Sequence, residues 1–529
     1  MHQPGQRTTF SLLALALAVQ GALALWFVLT PAAGDAAFCG FPLDDAWIHM
    51  VYARNMAEHG LPLYGDRLEA GFSGPLWPLV LTLAQLAGTA TGLGAVLFAK
   101  LAGVLAATAT SAVLGVAVLR LGGSRAAAAA ATLLCAANPV LAFAQVSGME
   151  VAVTTACAVF AVAELARARH ARAGVWLALA YLARPECALL APLLAVVPFA
   201  DAAMPLRARW RSAAGLLLPL GVAVIAWAGY CLCATGHPLP NTFYAKFAFA
   251  ADGSPWAGAL TTLARLPSNW LGAGALLALA APWAGQATTR WLRGVVLVFP
   301  LLFAFAIACT RPGTVGNGEY FFFARDAAPA WPFVAAALAL GADVLLRTAP
   351  TLRQPALRGF AVAVPAALLL LAMAPHPRAL AVAAQRYAQN CQNIEEVQVA
   401  FGRWVAANVP ADRAVAVNDA GAIRYFGARH CIDLLGLNDA TVLFAQPPLA
   451  QVAQDADAMA DWLLQRRVEQ LVVFPSWFDG LLRQPRFAAR FVESQRFCSA
   501  DYTIADPRSG QATMVAYRVL PANVAAPGR

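Results

Sequence analysis

The chain reads as an α-helical polytopic membrane protein carrying a water-soluble α/β domain at its C-terminal end. Three observations predict this. Of the 529 residues, 60% are hydrophobic and only 12% charged, with a mean hydropathy of +0.61, against about 45–50% apolar and about 25% charged in a soluble domain. The apolar residues form long runs between 9 and 376, whereas 377–529 mixes charge and apolar residues as a globular domain does. Arginines gather in short clusters between the runs, the habit of cytoplasmic loops.

The first run, 9–30, follows Arg7 and is long enough to span a bilayer, which takes about twenty residues. Small residues at Ala32, Ala33 and Gly34 also fit a signal-peptide cleavage site; a retained first helix is the expectation. Further runs cover 95–119, 126–144, 150–166, 173–200, 213–233, 268–284, 294–310, 330–346 and 359–376. The clusters at Arg120 and Arg125, at Arg167, Arg169 and Arg172, at Arg207, Arg209 and Arg211, at Arg290 and Arg293, and at Arg347, Arg353 and Arg358 should all face the cytoplasm. They share one side only if 173–200 enters and returns. It holds Arg184, Pro185 and Glu186 at its middle, where two half-length helices can meet. The run 77–92 is too short to cross. About eleven crossings result, with the N-terminus inside and the C-terminal domain outside. The expected division is a transmembrane module, 1–376, with a first outer loop at 31–76, and a soluble domain, 377–529.

Within 377–529, residues 396–407 and 457–468 have helical spacing. Ala414–Val417, 431–434, 471–474 and 513–520 read as strands, so a small α/β domain fits. The net charge of +9 does not mark a nucleic-acid binder, because its arginines are spread over loops and not along one element. The ten cysteines show neither a CxxC pair nor a zinc spacing. Cys231 and Cys233 lie in an apolar run as core residues; Cys39, Cys391, Cys431 and Cys498 fall on the outer side, where a disulfide is open to them. No cofactor motif is present, and a divalent metal stays open.

The polar residues of the membrane module gather on the outer side: Glu150, Glu186, Asp252, Glu319 and Asp326. Polar groups facing a shared cavity in a membrane protein mark a functional site by default. In the first outer loop, Asp44 and Asp45 precede Ile48, Val51, Tyr52 and Met56 at helical spacing, with Gly60 as the stop. One reading makes Asp44 the helix N-cap and Asp45 a first-turn acid. The other makes Asp44 a general base at the membrane surface, with Asp45 tuning or orienting it. Arg184 has two readings as well, pairing with Glu150 or Glu186, or holding a phosphate. Lys246 lies beside aromatics in 238–246, as a snorkelling cation or a phosphate-binding point charge. The run from Glu319 to Asp326 is either an interfacial aromatic belt or a wall for a lipid donor, with Arg325 on its phosphate. Asp419, Asp433, Asn438 and Asp439 sit at strand ends, where turn and cap chemistry is the ordinary explanation.

Several of these blocks resemble one family. Asp44 and Asp45 with Tyr52, Arg54 and Asn55, then Gly60, Tyr64 and the run from Gly71 to Trp77, look like the first periplasmic loop of bacterial GT-C glycosyltransferases. Ser147 to Glu150, Arg184 to Glu186, Pro240 to Lys246, and Val417 to Asp439 are similar to further family blocks in the same order, closest in motif to the terminal arabinofuranosyltransferase branch. Phe72, Ser73 and Gly74 stand where the family often has a polar triplet.

The resemblance implies an inverting transferase of the bacterial inner membrane with a periplasmic C-terminal domain. It would move a sugar, arabinofuranose on the nearest branch, from a polyprenyl-phosphate carrier to a glycan or glycoprotein acceptor. Asp44 and Asp45 would be catalytic, and Arg184, Lys246 and Arg325 would hold the donor phosphate. Tyr52, Arg54, Glu150, Glu186, Asn241, Tyr244 and Glu319 would line the substrates. The competing class is a lipid or sugar transporter. It calls for charges through both halves of the membrane and for inverted repeats, and the sequence shows neither.

Overall fold

The computed structural model describes residues 5–32, 40–249, 287–310, 325–373, 376–499 and 512–522. The chain divides into two compact units: Met1–Leu29 with Lys100–Trp227 and Ala250–Ala384, and Thr30–Ala99 with Ala228–Phe249 and Gln385–Arg529. The first outer loop therefore belongs to one unit with the C-terminal segment, a grouping that no run of sequence announces.

The architecture is polytopic and helical. Among the described residues five stretches are long and apolar enough to cross a membrane: Gln6–Leu29, Ala95–Arg120, Leu206–Thr235, Thr289–Ile307 and Arg325–Thr351. Apolar side chains such as Leu105, Leu218 and Ile225 stand exposed on such helices, as lipid-facing residues must. Val151–Leu165 is the opposite case, with nearly every residue buried; its many alanines let neighbouring helices close on it from all sides. The expected run 268–284 lies outside the described residues.

Two expectations for this unit are refined by local chemistry. The run 126–144 is not one helix: Arg125–Ala136 ends, and Pro139–Ala144 begins after Asn138, whose carboxamide accepts from the amides of Val140 and Leu141 at 3.0 and 3.1 Å. An asparagine cap followed by proline at the first helical position is a strong restart. The run 173–200 breaks at the charged centre. His170–Ala183 stops at Arg184, which is extended (φ −147°, ψ 115°), and the chain continues as the 3-10 turn Pro185–Leu189 and the helix Leu190–Ala195. Pro185 enforces this, since the residue before a proline is pushed out of the helical region.

The second unit holds the first-loop helix Asp44–His59, a hairpin of β1 (Leu63–Tyr64) and β2 (Arg67–Leu68), and the helices Leu76–Thr91 and Asn241–Phe249. Leu76–Thr91 is only about 24 Å long at 1.5 Å per residue and closes on Gly92 at φ 74°. The C-terminal segment folds as a five-stranded mixed sheet in the order β4-β3-β5-β7-β6. These are β3 (Ala414–Val417), β4 (His430–Asp433), β5 (Val468–Val473), β6 (Phe491–Ser499) and β7 (Ala512–Val519). β3 runs parallel to both β4 and β5; β7 runs antiparallel to β5 and β6. Leu471, Val473, Met459, Leu463 and Val515 form the core beneath the helix Ala456–Gln465. Four of the five strands fall where the sequence predicts them. β6 does not: its middle, Glu493 to Arg496, is polar because an edge strand keeps one face in water.

Candidate functional site

The carboxyl ends of parallel strands are where open α/β sheets bind ligands, and here two acids stand there. Asp433 ends β4, and Asn418 and Asp419 follow β3. The next residues turn into the helix Ala422–Gly427, and this turn receives the first outer loop. Asp44 is the first residue of its helix, not its cap; Leu43 holds the cap position and no side chain caps. The Asp44 carboxylate instead accepts from the amide of Gly421 at Oδ2 and of Ala422 at Oδ1, both at 2.8 Å. A Cβ on Gly421 would stand 2.1 Å from the Asp44 carbonyl oxygen, so only glycine permits this approach. Asp419 accepts from Gln398 Nε2 at 2.8 Å, and the Asn418 side-chain oxygen accepts from the Phe474 amide at 3.1 Å.

A second set of bonds fastens the same loop. Asp433 accepts from the amides of Leu435 and Asn438 at 2.9 and 2.8 Å, the turn chemistry expected of it. Asn438 is thereby oriented to accept from the Tyr52 hydroxyl at 3.2 Å. The Tyr64 hydroxyl donates to the Ala420 carbonyl at 2.7 Å, and Arg54 Nη1 to the Tyr425 carbonyl at 2.8 Å. Gly71 is another position with no room for a side chain, its ideal Cβ falling 2.3 Å from Asn438 Oδ1 and 2.4 Å from the Tyr52 hydroxyl. The substrate-lining role expected for Tyr52 is corrected accordingly, whereas Arg54 keeps part of its surface open. Tyr52 is fully buried between Tyr64 and Phe72, and its hydroxyl is engaged with protein.

Asn241 is likewise fully buried and donates to Glu69 Oε2 at 2.9 Å. Glu69 also takes the Ala440 amide at 3.3 Å, and its carbonyl accepts from the Tyr230 hydroxyl at 2.7 Å. Sequence reading passed over Glu69 as one acid after a hairpin. The only available signal was its place just before Gly71 and the conspicuous run to Trp77. Tyr244 packs edge-on against Phe444, on which His237 stacks with ring centroids 3.7 Å apart. Lys246 lies in the same helix, Asn241–Phe249, but its side chain is outside the described residues, as are Glu319 and Asp252 entirely.

Burial of these acids raises their proton affinity. Burial pushes Asp44 up to about 7 against the pull of its two amides, with the charges of Asp45 and Asp433 adding to the rise. Burial, then Asp44, raises Asp419; burial lifts Asp433 to about 6 and Glu69 to about 7. These groups hold protons in the folded protein that an unfolded carboxyl releases near about pH 4. Between about pH 4 and about pH 7 unfolding therefore releases protons, and stability must fall as pH rises through that window. A purified protein whose thermal midpoint is higher at pH 8 than at pH 5 would contradict this.

In the other unit, Arg184 is 3% exposed and faces three carboxylates. Its Nη2 donates to Asp326 Oδ1 at 2.6 Å and lies 3.6 Å from Glu186 Oε1, while Nη1 lies 3.4 Å from Glu150 Oε1. The pairing reading is met, with Asp326 added to the two expected partners. Arg325 begins the same 3-10 turn, Arg325–Ala330. Among the described residues no group of three or more His, Cys, Asp or Glu is placed to hold a metal ion.

Residues 389–517 match a family model described as a domain of unknown function, DUF8728. No curated protein matches the sequence. Solved structures do. The oligosaccharyltransferase AglB from Archaeoglobus fulgidus, in complex with an inhibitory peptide and a dolichol-phosphate, is 14% identical over 98% of this chain and 74% of its own, with a TM-score of 0.61. ArnT from Cupriavidus metallidurans bound to undecaprenyl phosphate is 15% identical over 98% and 99%, with a TM-score of 0.56. The arabinofuranosyltransferase AftD from mycobacteria is 16% identical over 96% of this chain and 41% of that one, with a TM-score of 0.54. The chain has the membrane fold of these proteins. The likeness does not single out the arabinofuranosyltransferase among them.

Proposed function

We propose that the protein is a membrane glycosyltransferase that moves a sugar from a polyprenyl-phosphate carrier to an acceptor hydroxyl, with inversion at the anomeric carbon. The observation that carries this reading is the convergence on Asp44. Blocks from the first loop and from the C-terminal segment, hundreds of residues apart, meet around one partly exposed carboxylate. The fold is shared with AglB, whose structure holds a dolichol-phosphate, and with ArnT, whose structure holds undecaprenyl phosphate.

A sugar on a polyprenyl phosphate already carries a good leaving group. The chemistry left to the protein is to place the acceptor oxygen and take its proton. Asp44, titrating at about 7, is a base matched to neutral conditions. It accepts the hydroxyl proton while the anomeric carbon–oxygen bond to phosphate breaks, and polyprenyl phosphate departs. Lys246 and Arg325 are the cations proposed for that phosphate, whereas Arg184 is engaged by its own three acids. The reaction takes place on the outer face of a bacterial inner membrane, with the C-terminal segment in the periplasm. Arabinofuranose is the donor sugar that the first-loop motifs favour, and a glycan or glycoprotein is the acceptor class.

Transfer by the purified protein from a panel of polyprenyl-phospho-sugars tests the reading. Product from at least one member is expected, and carrier movement across vesicles with no product from any would favour a transporter instead. Lys246→Ala should raise donor KM about ten- to a hundred-fold with kcat nearly kept, the worth of one charge-assisted bond. A folded Lys246→Ala protein with normal donor KM removes that lysine from the site.

A further inference from the structure

We infer that the turn 418–422 of the C-terminal segment is a positioning element for the first-loop acid, closed by Gly421. This gives the segment 389–517 a role in the reaction, and it rests on Asp44 being the transferase's base.

Each Asp44 oxygen takes one backbone amide of this turn, at 2.8 Å. Two such bonds fix the plane of the carboxylate. A carboxylate offers about four lone-pair sites, so the outer pair stays free to take a proton. The first-loop helix is registered against the turn at further points on the same face. Trp47 packs on Tyr425 and Phe426 with ring centroids 5.0 and 4.8 Å away, and Arg54 bonds the Tyr425 carbonyl. Tyr64 bonds the carbonyl of Ala420. Gly421 and Ala422 stand at the start of the helix Ala422–Gly427, whose leading amides have no partner within the helix, and here both are given to the loop acid. Spending Gly421 and Ala422 there sets the angle of the one group whose aim the reaction depends on, and misplacement by about 1 Å can cost about a hundredfold.

The experiment uses the full-length protein and two readouts. Amide hydrogen exchange should show Gly421 and Ala422 protected in the wild type and exchanging faster in Asp44→Ala, with β5 and β7 unchanged. Exchange at these two amides that is unaltered in Asp44→Ala overturns the inference, whatever the activity. The second readout is the rate–pH profile of Ala422→Pro, which deletes one donor at a first helical position, where the lost amide breaks no helical bond, while Gly421 before it (φ −89°, ψ −84°) must shift to accommodate the ring. Asp45, Asp419 and Asp433 still face Asp44 in that variant. Without the amide that draws Asp44 down, the acid limb should move to higher pH and kcat fall roughly ten- to a hundred-fold, with donor KM little changed. A folded Ala422→Pro protein whose acid limb has not moved overturns the inference; if that variant does not fold, the exchange result decides alone. Loss of protection in Asp44→Ala together with no transfer from any donor by the wild type would leave the clasp standing and dismiss the transferase.

Discussion

Asp44→Asn is expected to lower turnover on a defined polyprenyl-phospho-sugar donor by roughly a hundred- to ten-thousand-fold, the range that general-base catalysis supplies. The substitution keeps size and shape and removes only the capacity to accept a proton. A capping residue would barely notice it, since Asn caps about as well as Asp, and here Leu43 already occupies the cap position. The carboxamide introduced by the substitution would turn its NH2 toward either Gly421 or Ala422, so part of the loss comes from a misdirected side chain. The pH dependence separates the parts. Wild-type kcat/KM should rise through about pH 7 as Asp44 ionises, and the residual activity of the variant should lack that limb. Asp45→Asn should cost less and shift the limb to lower pH, because Asp45 is one of the charges that raise its neighbour. Near-normal turnover by purified Asp44→Asn would refute the assignment.

The fold class was legible because it depends on composition and on apolar run length, both one-dimensional. The break at Arg184 was legible for the same local reason, a charge and a proline inside an apolar run. Strand β3 and the Leu471–Val473 end of β5 were visible through their unbroken apolar character, whereas β6 was hidden because an edge strand with a polar middle resembles a loop.

The site was legible only in part. Asp44 stood out by motif, but its partners are 377 and 378 residues away, and no periodicity encodes a contact of that range. Glu69 was missed because burial by Asn241 and the Ala440 amide, not its sequence context, makes it unusual. Tyr52 and Asn241 stood out as polar residues, and the structure buries both with their polar ends bonded to protein. A hydroxyl or amide that fastens a loop and one that touches substrate leave the same mark in a sequence.

Arg184 decides a different question, and its removal should have the largest effect on the folded protein. The guanidinium is buried with Asp326, Glu150 and Glu186 around it. Taking away one partner of a buried ion pair costs about 3–5 kcal/mol, because the remaining charge keeps its desolvation penalty without compensation. Three carboxylates share this one. Arg184→Met should therefore reduce the yield of monodisperse protein and lower its thermal midpoint by many degrees. Arg184→Lys should recover only part of the loss, since an ammonium cannot reproduce the planar fork that meets Asp326 through one nitrogen and Glu150 through the other. Pairing Arg184→Met with Asp326→Asn should restore stability beyond the sum of the two single effects, as residues in direct contact do. If Arg184 served only the donor phosphate, the outcome would reverse. Arg184→Met would fold with an unchanged midpoint and lose donor binding, and Asp326→Asn would rescue nothing. A well-folded Arg184→Met protein with weakened donor binding would move this arginine from the scaffold into the site.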